Sequence, residues 1–67
     1  MAQGTVKWFS DEQGYGFVVG DGGAEEVFVH YTEIRTLGVR SLRPDQRVEF
    51  DVVPGSRGPR AVAVRLL

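Results

Sequence analysis

Six of the seven aromatic residues of this 67-residue chain fall before residue 32: Trp8, Phe9, Tyr15, Phe17, Phe28 and Tyr31. They surround His30, the only histidine, and Lys7 lies beside the first of them. A lone histidine, no cysteine, and serines without an accompanying base and orienting acid supply no nucleophile or zinc-ligand set. Gly14 and Gly16 do not start a dinucleotide fingerprint, because the third glycine would have to stand at 19, which is Val19. There is no Gly-Lys-Ser/Thr phosphate loop either. The expectation is therefore no catalytic residue, no metal, no cofactor and no small-molecule substrate: not an enzyme. Rings that are not buried do a different chemistry, which is to stack on flat ligands.

Whether they are buried is a question of alternation. In Tyr15–Val19, Tyr15 and Phe17 share one face and Val18 the other. In Val27–His30, Val27 and Val29 share one face and Phe28 and His30 the other. The two sets cannot both be inside, since a slip of one residue reverses every side chain. The aliphatic set is large enough to fill a narrow barrel: Val6, Val18, Val27, Val29, Val48, Val52, Val62 and Val64, with Ile34, Phe50 and Leu42. The rings then point out. Trp8 has the same parity as Val6, so its outward placement requires a bulge or a strand end.

Glycine-rich punctuation divides the chain into five strands, Thr5–Phe9, Tyr15–Val19, Val27–His30, Arg47–Val53 and Ala61–Leu66. Thr32 is expected to cap a short helical turn over 32–37, Gly38–Gln46 to form a long loop, and Pro54–Pro59 another loop. Five short strands favour closure into a barrel, which removes exposed edges, whereas a sandwich needs a longer chain. Residues 1–67 are expected to form a single domain.

Charge does not advertise a polyanion partner. The net value is −1, made of −4 over residues 1–31 and +3 over residues 32–67. Binding to nucleic acid must rest on rings and local cations, and Arg57 and Arg60 in or after the last loop are candidates beside Lys7. Duplexes hide the faces of their bases, so the ligand expected is single-stranded. The remaining arginines, among them Arg35, Arg40, Arg43, Arg47 and Arg65, are expected to be solubilising surface. An aromatic patch also suits a proline-rich peptide, and a peptide-binding barrel is the alternative reading. No basic stretch followed by an apolar run, and no apolar stretch of roughly 20 residues, is present. A cytoplasmic monomer with no membrane partner is expected.

Gln13-Gly14-Tyr15-Gly16-Phe17-Val18 and Val27-Phe28-Val29-His30-Tyr31 resemble the two ribonucleoprotein-type motifs of the cold-shock domain. Gly4-Thr5-Val6-Lys7-Trp8-Phe9 resembles the opening strand of that family, and Gly55-Ser56-Arg57-Gly58-Pro59-Arg60-Ala61 its last loop. The resemblance implies an all-β, five-stranded antiparallel barrel of the oligonucleotide/oligosaccharide-binding (OB-fold) type. It implies binding of single-stranded RNA and DNA, and a role as an RNA chaperone that melts weak secondary structure, in the cold-shock response or constitutively. Carried over residue by residue, it places the nucleic-acid site at Lys7, Trp8, Tyr15, Phe17, Phe28, His30, Tyr31 and Arg57. Thr5, Gln13 and Val39 stand where the family commonly has basic groups and a further phenylalanine, which implies fewer phosphate contacts and one fewer stacking ring.

Overall fold

A computed structural model describes residues 1–23, 25–35 and 41–67. Strand β1 (Ala2–Ser10) pairs antiparallel with β2 (Tyr15–Gly20), and β2 with β3 (Glu26–His30). A short 3-10 turn, η1 (Tyr31–Glu33), follows, and then β4 (Arg47–Gly55) and β5 (Gly58–Leu66). The order β1-β2-β3-β5-β4 closes on itself, with β4 returning to β1. Every neighbouring pair is antiparallel except β3–β5, which is parallel through Phe28↔Arg60 and Val29↔Ala61. The expected five-stranded OB-type barrel is what forms.

The valines fill it. Val6, Val18, Val27, Val29, Ile34, Leu42, Val48, Phe50, Ala61 and Val64 are buried as one cluster, with Phe9 partly buried against it. Phe50, only 1% exposed, is the one ring fully buried in the core. Because β2 and β3 are regular, burying Val18, Val27 and Val29 forces Tyr15, Phe17, Phe28 and His30 to the outside.

Two bulges set the faces of the other strands. In β1 the register passes from Val6↔Val18 to Trp8↔Phe17, so Lys7 is the extra residue. That is the irregularity the parity of Trp8 requires. In β5 the register passes from Asp51↔Val62 to Glu49↔Arg65, and Ala63 adopts φ 53°, a left-handed conformation uncommon outside glycine. The extra residue reverses alternation, so Ala61 and Val64 point inward. Two expected core positions are corrected by this geometry. Val62 is only half-buried, and Val52 is 50% exposed, because β4 beyond Phe50 has lost β1 as a neighbour.

The expected loop over 54–59 is instead a hairpin: Pro54↔Pro59 and Gly55↔Gly58 are paired and only Ser56 and Arg57 form its tip. The expected cap is also displaced. His30 caps η1, and Thr32 lies inside it. The chain then returns to β5 through the Ile34↔Val64 bridge and Arg35 N–H donating to the Val64 carbonyl at 2.7 Å. The helical turn expected over 32–37 runs in part, and Val39 and Arg40 lie wholly, outside the described residues.

Arg47 donates two hydrogen bonds of 2.7 Å to the carboxylate of Asp21, tying the β2–β3 turn to the start of β4. This fork holds the Asp21 carboxyl below its ordinary 3.8 and raises the Arg47 guanidinium further above its usual value. Among the described residues no helix is long and apolar enough to cross a membrane.

Candidate nucleic-acid interface

The outward rings form one continuous face across β1, β2 and β3. Register places Trp8 opposite Phe17, Phe17 opposite Phe28 and Tyr15 opposite His30. Trp8 and Phe17 are offset-stacked with centroids 6.3 Å apart and planes at 29°, and Tyr15 and Phe28 likewise at 5.6 Å and 25°. The other pairs meet edge to face: Trp8–Tyr15 at 5.6 Å, Tyr15–Phe17 at 6.4 Å and Phe17–Phe28 at 6.0 Å. Such geometry holds each ring by its neighbours while leaving faces open. Trp8 is 44% exposed, and Tyr15, Phe17 and Phe28 are half-buried.

Gly16 makes this close approach of β1 and β2 possible. A Cβ there would run into the Trp8 carbonyl oxygen and the backbone and ring of Phe9. Gly14, at φ 77°, does the same for the neighbouring turn: a side chain would strike the ring of Tyr31, whose N–H donates to the Gly14 carbonyl at 2.8 Å.

The β4–β5 hairpin leans over the face and turns it into a groove of about 580 Å³, walled by Tyr15, Phe17 and Phe28 on one side and by Ser56, Arg57, Gly58 and Arg60 on the other. The structure thus brings together Tyr15, Phe17, Phe28 and Arg57 of the expected set, with Trp8 on its flank. Arg60 belongs with them. Its position opposite Phe28 comes from the parallel β3–β5 pairing, which no local pattern reveals, and its stem lies where a Cβ of Gly55 would be. Proximity in sequence to Arg57 was the one available signal.

His30 and Tyr31 mark the other end. Their rings lie 4.7 Å apart, and His30 Nδ1 is 2.9 Å from Thr32 Oγ1. Tyr31, 44% exposed, faces a second recess of about 400 Å³ with Phe9 and the β1–β2 turn, Asp11 to Gly14. Lys7 stands apart from the groove: it reaches across β2 to Glu26, 3.5 Å away, in an exposed ion pair that a competing phosphate can displace at little cost. Among the described residues no group of three or more His, Cys, Asp or Glu side chains could hold a metal ion.

The family model of the 'Cold-shock' DNA-binding domain matches residues 2–67. This chain belongs to the cold-shock domain family. "Probable cold shock protein A" of Mycolicibacterium smegmatis is 51% identical over 67 residues, covering 100% of both chains. The "Cold shock protein" of Arthrobacter globiformis is 49% identical over the same length and coverage. A solved chain described as drosophila Unr CSD456 superposes with a TM-score of 0.80 at 24% identity, over 98% of this chain and 26% of that longer one, and supports the fold alone. Cold-shock domains bind nucleic acid and are not enzymes. The surface just described is where a cold-shock domain of this sequence concentrates exposed rings beside cations.

Proposed function

We propose that this cold-shock domain binds single-stranded RNA and DNA by stacking unpaired bases on Trp8, Tyr15, Phe17, Phe28, His30 and Tyr31, with Lys7, Arg57 and Arg60 meeting the backbone. The observation that carries the reading is the ring face itself: rings from three adjacent strands, turned outward by a filled valine core, beside two arginines. Every base offers a π face, so stacking is tolerant of sequence and is worth roughly 1–3 kcal/mol per base. Four stacked bases, less the cost of immobilising a flexible strand, correspond to about micromolar to nanomolar affinity.

An RNA chaperone follows from mass action. A protein that binds opened strands and not the paired form shifts the melting equilibrium toward open strands, with no ATP required. Weak hairpins melt first because the least binding energy is needed to invert their population. A proline-rich peptide would also find rings here, but family membership and the flanking arginines favour the nucleic acid.

Titrating the protein with a short oligothymidine while following Trp8 fluorescence tests the assignment, since Trp8 is the only tryptophan. Saturable quenching is expected. Unchanged emission under oligothymidine, with saturation by a proline-rich peptide instead, would replace the nucleic-acid reading with the peptide one.

A further inference from the structure

His30 is held from one side. Its Nδ1 lies 2.9 Å from Thr32 Oγ1 and accepts from the Thr32 backbone N–H at 3.4 Å. A backbone N–H only donates, so Nδ1 must present its lone pair to it. The Thr32 hydroxyl, which can act in either direction, then donates to the same nitrogen. In a neutral imidazole the proton must therefore sit on Nε2. Nε2 has no partner among the described residues, and among them no buried side-chain nitrogen or oxygen lacks one, so Nε2–H opens to solvent. It does so on the ring face, with Tyr15 opposite His30 across the strands and Tyr31 next to it.

We infer that Thr32 fixes the tautomer of His30 and thereby makes its Nε2–H a donor that reads keto oxygens on a bound base. This rests on the stacking reading above and adds to it a source of base preference that stacking lacks. The N–H lies in the plane of the imidazole, so it addresses the base beside the one stacked on His30, at the Tyr15 or Tyr31 position. A keto group there accepts the bond; an amino group on the same ring carbon offers a second donor and leaves both unpaired. Thr32 is a positioning residue, because it acts through His30 and need not touch the ligand.

The test combines ring nitrogen-15 shifts of the free protein with binding of hexathymidines carrying hypoxanthine or adenine at one position at a time. The two purines present similar faces; at C6 they differ in a keto for an amino group, and at N1 in a proton that hypoxanthine carries and adenine lacks. The Nε2–H tautomer is expected in the parent, and one position should prefer hypoxanthine by about three- to tenfold. Thr32→Val removes the 2.9 Å hydroxyl contact and leaves only the long 3.4 Å backbone one on Nδ1, so it should weaken the Nε2–H bias and lower that ratio while the backbone amide spectrum stays folded; Thr32→Ser should restore both. An Nδ1–H tautomer in the parent, or a keto preference untouched by Thr32→Val, would overturn the inference while hexathymidine still bound. Hexathymidine that failed to bind at all would overturn the stacking reading beneath it.

Discussion

Trp8 lies directly opposite Phe17 because Lys7 is left out of the β1–β2 register. Continued without a bulge, the pairing Val6↔Val18 would set Lys7 against Phe17 and Trp8 against Gly16. The indole would then share the core-facing parity of Val6. The extra residue exchanges a lysine for a tryptophan beside Phe17, and it frees Lys7 to reach Glu26. The site is thus built by a backbone irregularity, and the fluorescence of Trp8 reports on it directly.

If the rings are ligand surface and the valines are core, substitutions on the two faces must separate. Phe17→Ala and Phe28→Ala are expected to weaken oligonucleotide binding by about 1–3 kcal/mol each, with folding retained. Val29→Ala, at a fully buried position of the same strand as Phe28, should lower stability by on the order of 2 kcal/mol and leave affinity nearly unchanged. Denaturant melts and titrations on the three variants decide it. Unfolding by either phenylalanine substitution would mean that the rings hold the barrel together and that the face assignment fails.

Gly16 is predicted to be intolerant of even one methyl group. The Cβ of Gly16→Ala would collide with backbone atoms of Trp8 and Phe9, which cannot swing aside as a side chain can. A loss of roughly 3 kcal/mol is expected from forcing β1 and β2 apart. Binding should weaken as well, because the same pairing holds Trp8 beside Phe17. Gly22→Ala is the control for glycine loss in general: it carries a positive-φ penalty that Gly16 does not, but a Cβ there meets nothing within 4 Å, so only the conformational strain is felt. A Gly16→Ala melt no lower than that of Gly22→Ala would remove the close approach from the account.

The same parities decide how much of the fold is legible in the sequence. The faces of β2 and β3 were legible because both strands are regular and carry rings on one parity and valines on the other. The β1 bulge was legible because Trp8 and Val6 share a parity that the ring face forbids. The β5 bulge was not, since Ala61, Val62 and Ala63 are small apolar residues on either face and give alternation nothing to violate. The hairpin over 54–59 was hidden by two prolines and two glycines that read equally well as a loop. Arg60 is a candidate cation in the sequence only by its place after the last loop; its contact with the Phe28 side of the groove comes from the pairing of β3 with β5, which no local pattern reveals.

The salt dependence of binding should be shallow. Lys7, Arg57 and Arg60 are the cations beside the rings, and at about −0.7 per phosphate contact on a single strand the log–log slope should be roughly −2. Arg57→Ala is expected to flatten it by about 0.7 and to weaken binding alike for all sequences. Titrations at several salt concentrations measure both quantities. A parent slope near −6 would mean that charge rather than stacking dominates, which the net charge of −1 gives no reason to expect.

Acid should act on the clamp between Asp21 and Arg47, away from the ring face. The hydrogen bonds from Arg47 hold the folded-state Asp21 carboxyl below its ordinary 3.8. A group whose folded value is depressed contributes stability that is fully present above the unfolded value and is lost as pH falls through the folded one. Asp21→Asn should therefore melt slightly below the parent near neutral pH, with the gap closing in acid below 3.8. Both partners are exposed, so the gap should be small and should shrink further in high salt. Thermal melts of parent and variant across that range check the sign. A gap that widened in acid would be incompatible with a carboxylate stabilised by Arg47. Oligonucleotide affinity should be the same for the two proteins near neutral pH, since neither Asp21 nor Arg47 lines the groove beneath the hairpin.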